Sequence, residues 1–223
     1  VNLKHHFLNR ASVIEAADLI DQLGFSKHYD FEKHAFYYGK GEDQFQLRLP
    51  ITLAVKSNAI NELHVVKYLM LLVQTGSSAI GVFQGEECLE HKVLSAYMVR
   101  KKQGKSQIKH LKTKGKSRAG SRVRLAKTLE FFEHINERVT RHFNENEFDR
   151  IAFSCSKILM PFLFGSKIPT PFDKKDPKIL RIPKHLHQPN FEVMLGMQRF
   201  LNMGELIFDP QVFPELEESL NHL

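Results

Sequence analysis

The chain has 223 residues, enough for one large domain or two small ones with a real hydrophobic core. Apolar residues make up 42% and charged residues 26%, and no apolar run approaches the ~18 residues a membrane helix needs, so a helical membrane protein is excluded and a soluble, cytoplasmic chain is expected. The formal net charge is +7, which points to an acidic partner. Val1–Arg10 has no apolar core of a secretory signal, so none is expected.

In chain order, residues 12–24 read as a helix. Ser12 and Glu15 fit a capping box, Val13, Ala17, Ile20 and Leu23 share a face, and Gly24 sits at the end. Residues 34–38 and 45–55 read as strands, with Pro50 making the second an edge strand or breaking it in two. Residues 61–74 read as a buried helix closed by Gly76, and 78–84 and 91–99 as strands. Residues 100–120 show no period and read as a long exposed loop, partly disordered without its partner. Ser121 caps a helix to about Phe143, with an apolar stripe of Leu125, Leu129, Phe132, Ile135 and Val139. Then come a strand at 151–156, a short helix through Phe164, a Pro-rich loop at 165–178 and a strand at 179–182. A helix at 190–202, a strand at 204–209 and a short acidic helix from Pro214 complete the chain. Strands and helices alternate after residue 60, so the expected class is α/β or α+β with a mixed β-sheet and flanking helices.

The charge is local. Between Glu90 and Glu130 there is no acidic residue and there are thirteen bases; the rest of the chain holds 19 bases against 25 acids. Those bases are Lys92, Arg100, Lys101, Lys102, Lys105, Lys109, Lys112, Lys114, Lys116, Arg118, Arg122, Arg124 and Lys127. A positive field on a mildly acidic body fits a polyanion, and a phosphate backbone is the commonest one. Gly104, Gly115 and Gly120 let main chain approach a ligand closely.

Two cysteines, Cys88 and Cys155, lie far apart and read as buried thiols, with one disulfide between them as the alternative in an oxidising compartment. No paired spacing provides the four ligands of structural zinc, and the pairs His5-His6 and His185/His187 read as surface histidines, so neither metal nor cofactor is expected. Glu42-Asp43 and Glu86-Glu87 read as solvated turns, and Phe131, Phe132 and Phe143 as core.

The run Tyr97–Arg124, YMVRKKQGKSQIKHLKTKGKSRAGSRVR, resembles the signature of the Vms-like release-factor domain family. Arg100, Lys102-Gln103-Gly104, Ser106-Gln107 and Ser117-Arg118-Ala119-Gly120-Ser121 match in order and spacing. A second match runs from Ile182-Pro183 to Gln188-Pro189-Asn190-Phe191-Glu192-Val193, where Gln188 stands in place of the usual Arg. The resemblance covers roughly residues 60–210. It implies a fold like the middle domain of class I eukaryotic and archaeal release factors, RNase H-like, with residues 59–213 as the catalytic domain. Residues 1–58 are then a helix and strands, separate or part of that domain, and 214–223 a tail.

The resemblance also implies a task, peptidyl-tRNA hydrolysis or cleavage on stalled large ribosomal subunits in rescue or quality control. Gln107 is then the reactive residue of a loop tip that includes Gly104 and Ser106. Peptidyl-tRNA and the large subunit are the expected partners, with neither DNA nor membrane. A glutamine amide donates and accepts hydrogen bonds, so it can orient a water or a ribose 2′-hydroxyl without acting as a strong base. Arg100, Lys101, Lys102, Lys105, Lys109, Lys112, Lys114, Lys116, Arg118, Arg122 and Arg124 would meet phosphates. Lys105 replaces the second glycine of the release-factor loop. Gln103 as the functional amide and His110 as an acid or base remain alternatives, and Ser106 and Ser117 have no evident base. The rival reading is a non-catalytic ribosome- or RNA-binding factor.

Overall fold

The computed structural model describes residues 3–96 and 116–220. The N-terminal elements are β1 (Lys4–Leu8), α1 (Arg10–Gln22), β2 (Ser26–Asp30), β3 (Ala35–Lys40), β4 (Asp43–Arg48), β5 (Ala54–Lys56) and β6 (Ala59–Asn61). Then come β7 (Lys67–Gln74), β8 (Ser77–Gln84), β9 (Glu87–Ser95), α2 (Lys116–Glu145), β10 (Arg150–Cys155) and α3 (Met160–Phe164). The last are β11 (Ile179–Arg181), α4 (Phe191–Leu201), β12 (Gly204–Phe208) and α5 (Pro214–Leu220). The fold is α+β. One sheet, in the order β1-β12-β4-β3-β2, is antiparallel; the other, β11-β10-β7-β8-β9, is mixed; β5 and β6 form a small ribbon.

The mixed sheet is a layer between helices. Its middle strand β7 has six consecutive buried residues from Tyr68 to Val73. Leu69, Leu71 and Val73 join Ile80 and Val82 against Phe132, Ile135 and Val139 of α2. Tyr68, Met70 and Leu72 join Ala79 and Phe83 against Met194 and Leu201 of α4. A strand covered on both faces has no polar side, so it reads as a continuous apolar run. That is why the helix expected over 61–74 is instead the end of β6, a loop and β7. Helix α4 sits close because Gly81 has no side chain; a Cβ there would meet Met194 Sδ at 2.7 Å.

The antiparallel sheet packs on α1 and α5 through Val13, Ala17, Ile20, Phe36, Leu47, Phe213 and Leu216. Its second strand, β12, comes from the C-terminal part of the chain and pairs with β1 on one side and β4 on the other. Pro50 does break the 45–55 run: β4 stops at Arg48 and β5 starts at Ala54. Strands β1 and β2 lie where no strand was expected.

Helix starts differ from the sequence reading. The N-cap of α1 is Asn9, whose side chain accepts from the Ser12 amide at 3.0 Å, so the Ser12/Glu15 box is one turn inside the helix. Helix α2 begins at Lys116, not after Ser121, so 116–120 are helical rather than loop. From residue 126 on, its first buried side chain is Phe131, and Leu129 of the expected stripe is 41% exposed. Both cysteines are free and only half-buried. Burial pushes the Cys155 thiol up to about 12, which leaves it an unreactive thiol.

Candidate RNA-facing site at one end of the mixed sheet

Strand β10 runs parallel to β7, and β8 runs against both β7 and β9. The carboxyl end of β9 therefore lies at the same end of the sheet as the carboxyl ends of β7 and β10. Helix α2 leads into the start of β10, so its amino end lies there too. In open α/β sheets ligands gather at this end.

The outgoing root is firmly held. Ser95 pairs with Ser77, the Ala96 amide donates to the Gly76 carbonyl at 3.0 Å, and Leu94 and Ala96 pack on the core beneath α2. The Ser77 hydroxyl, nearly fully buried, donates to the Pro189 carbonyl at 2.6 Å. Two residues on, Phe191 stacks on His91 of β9 with ring centroids 3.9 Å apart. The 182–193 segment is thus joined to β8 and β9, the strands at whose end the described residues stop before the basic run. Leu186, 4% exposed, anchors the second stretch in the core, while Lys184, His185 and His187 stay exposed.

The returning root is α2. None of its residues 126–130 is buried, and the fifteen-residue rise from Lys116 to Phe131 is about 22 Å. Farther along, the fully buried Asn136 donates to the carbonyls of Leu163 (2.9 Å) and Ile168 (2.7 Å), locking α2 to α3 and the loop after it.

Gly104, Lys105, Ser106 and Gln107 lie outside the described residues, as do Gln103, His110, Arg100, Lys101, Lys102, Lys109, Lys112 and Lys114. Lys116, Arg118, Arg122 and Arg124 fall on the first turns of α2.

Two cavities lie at the seam between the sheets, and the sequence reading pointed to neither. One, of about 360 Å³, has Lys33, Arg48, Arg181 and Glu205 on its walls over an apolar floor. Arg48 Nε donates to Glu205 at 3.3 Å, and its guanidinium lies over the Phe200 ring. The other, of about 820 Å³, is lined by Phe31, His34, His64, Asp149 and Arg150 among others. There Arg150 donates to the Phe31 carbonyl and the Tyr29 hydroxyl, and lies 3.2 Å from His34 Nδ1. Burial lowers the Arg150 pKa and raises that of Tyr29. This network ties the start of β10 to the other sheet, a structural task with no periodic sequence signal.

Residues 68–207 match the profile of the family described as Bacteroidetes VLRF1 release factor. The chain belongs to that family. The VLRF1 match runs from β7 into β12 and takes in both the basic run and the 182–193 segment, and membership gives the chain a ribosome-associated, release-factor-like function. Among solved structures, the chain is similar to one titled "Vms1 mitochondrial localization core", at 11% identity and a TM-score of 0.44, over 92% of this chain and 85% of that one. No curated protein matches it.

Proposed function

We propose that this VLRF1-family chain is a cytoplasmic factor that engages peptidyl-tRNA on the large ribosomal subunit and frees the nascent chain, with Gln107 as the residue that positions the nucleophile. The observation that carries the reading is the pair of elements on either side of the basic run. Strand β9 and helix α2 bracket residues 97–115 at one end of the sheet, and that bracketed run is strongly basic with no acid. An unopposed cationic segment suits the phosphates of an acceptor stem and ribosomal RNA. Within it, Gly104-Lys105-Ser106-Gln107 offers a neutral amide beside a cation. The amide orients a water or the ribose 2′-hydroxyl, and the cations neutralise charge around it. Positioning of this kind contributes several kcal/mol to a barrier, on the order of a thousandfold in rate.

The test is release from stalled peptidyl-tRNA–ribosome complexes by purified protein. Gln107→Ala should abolish release, while Lys112→Ala should leave it in place and weaken binding. The 3′ end of the product distinguishes the two chemistries, because an intact CCA end marks ester hydrolysis and a shortened one marks tRNA cleavage. Tight ribosome binding with no release by the unmodified chain would instead make it a non-catalytic ribosome-binding factor.

A further inference from the structure

The outer edge of the mixed sheet carries a group of side chains with no part in the proposed loop chemistry. Glu90 of β9 faces the last turns of α2. There His142 is 0% exposed, yet neither of its ring nitrogens has a hydrogen-bond partner among the described residues. His142 Nδ1 points at Glu90 Oε2 from 3.7 Å. The other oxygen, Oε1, is held by Arg141, with Arg138 at 3.6 Å. Glu145 is on the same face of α2, three residues beyond His142. One donor atom from each of Glu90, His142 and Glu145 lies within 4.8 Å of the other two.

We propose that Glu90, His142 and Glu145 form a site for a divalent transition-metal cation of the Zn²⁺ class, which ties β9 to the carboxyl end of α2. The spacing is close to what the ion requires. Two ligands at Zn²⁺ bond lengths in tetrahedral geometry are roughly 3.3 Å apart, so His142 and Glu90 need to close by only a few tenths of an ångström. Glu145, half-exposed at the helix end, lies 3.8 Å from Arg141 Nε and turns from that exposed pair to reach the ion.

The donor set, one imidazole and two carboxylates, suits Zn²⁺ better than Mg²⁺, which prefers oxygen alone. A buried histidine with two idle nitrogens costs free energy that a metal bond to one of them would offset. Burial also lowers the His142 pKa, which favours the neutral ring that ligates. Arg138 and Arg141 act behind the carboxylate. By gripping Oε1 they aim Oε2 at His142, as outer groups commonly orient a metal ligand. Their positive charge makes the site weaker than a four-ligand structural zinc. Spacing alone does not reveal it, because Glu90 and His142 are distant in sequence and on different elements. The proposal does not depend on the function proposed above.

The test uses the full chain stripped of metal, followed by calorimetry and thermal unfolding with Zn²⁺ alone. Saturation at a hundredfold excess over Kd should raise Tm by about 5 °C. Glu145→Gln, at an exposed position that does not threaten folding, should weaken binding about tenfold, and His142→Asn should abolish it. Zn²⁺ bound at the surface histidines would be unaffected by either change. Unchanged Tm, equal affinity in Glu145→Gln and the parent, or a rise in Tm with Mg²⁺ as large as with Zn²⁺ would each overturn the proposal.

Discussion

Arg150, the first residue of β10, lays its guanidinium over the ring of Phe31, with Cζ 3.6 Å from the ring centroid, and donates to the Phe31 carbonyl as well. The same group donates to the Tyr29 hydroxyl, so one side chain holds the 29–34 hairpin of the antiparallel sheet to the start of the mixed sheet. Only 5% of Arg150 is exposed. Arg150→Met would keep most of the volume but leave two part-buried acceptors without their donor. The expected loss is about 2–4 kcal/mol by urea unfolding. Arg150→Lys should recover little of it, because a single ammonium cannot stack on the ring and reach both acceptors. Full recovery by lysine would show that charge alone matters there.

His34 shares that network and sets a pH dependence. Its Nε2 donates to the Pro50 carbonyl at 2.9 Å, and its Nδ1 lies 2.6 Å from the Tyr29 hydroxyl. Burial first, then the nearby Arg150, lower its pKa from 6.5 to about 3, outweighing the carbonyl of Pro50. The unfolded chain binds this proton near pH 6.5 and the folded chain only near pH 3. Between those values the unfolded state holds more protons, so stability rises with pH. The contribution is complete above about pH 6.5 and is lost as pH falls towards 3, on the order of 5 kcal/mol in all. His34 has φ +52°, a conformation that asparagine tolerates, so His34→Asn removes the titration without forcing the backbone. Stability of this variant should fall less steeply between pH 7 and 4.5. Parallel curves for the two proteins would rule the histidine out as the source.

Two glycines give opposite expectations. A Cβ on Gly204 would come within 2.2 Å of Val13 Cγ2 and 3.1 Å of the Arg48 carbonyl oxygen, where β12 passes under α1. Gly204→Ala should cost about 1–3 kcal/mol or more, through shifted backbone. Gly196 lies inside α4, and among the described residues nothing comes within 4 Å of such a Cβ. Gly196→Ala should add roughly 0.5–1 kcal/mol, because alanine loses less entropy on forming helix. Chemical denaturation of the two variants side by side checks both signs.

These residues also show what could be read from the sequence. The apolar stripe of α2 from Phe132 to Val139 and the Pro50 break each have a local cause, and both were legible. Strand β7 was not, because burial on both faces erases the alternation that marks a strand. Strand β2 carries Ser26, Lys27, His28 and Asp30, a polar edge with little propensity to betray it. The Asn9 cap was overlooked because a capping box three residues later fits equally well on paper. On the functional side, the basic run and the 182–193 segment announced themselves by charge and motif. The docking of the 182–193 segment beside β9, through Ser77 and Pro189, depends on strand pairing far along the chain. Arg150, His34 and Tyr29 act across the seam between the sheets, where no local pattern exists.

The charge itself carries the last expectation. The bases of 91–129 face no acid within their own stretch, and the rest of the chain is mildly acidic, so RNA binding should rest on that stretch. If about five of these cations meet phosphate, affinity for a single-stranded acceptor end should fall with salt at a log–log slope of roughly −3 to −4. Changing Lys109, Lys112, Lys114 and Lys116 together to Gln should flatten the slope by about 2–3 units and weaken binding across all RNA sequences alike. Gln107→Ala removes no charge, so it should leave both slope and affinity unchanged even where it stops release. Anisotropy titrations of a labelled single-stranded acceptor-end oligonucleotide across a salt series measure all three proteins on one scale. A salt response that is flat in the parent, or that stays steep in the quadruple variant, would mean the stretch is not what meets the phosphates.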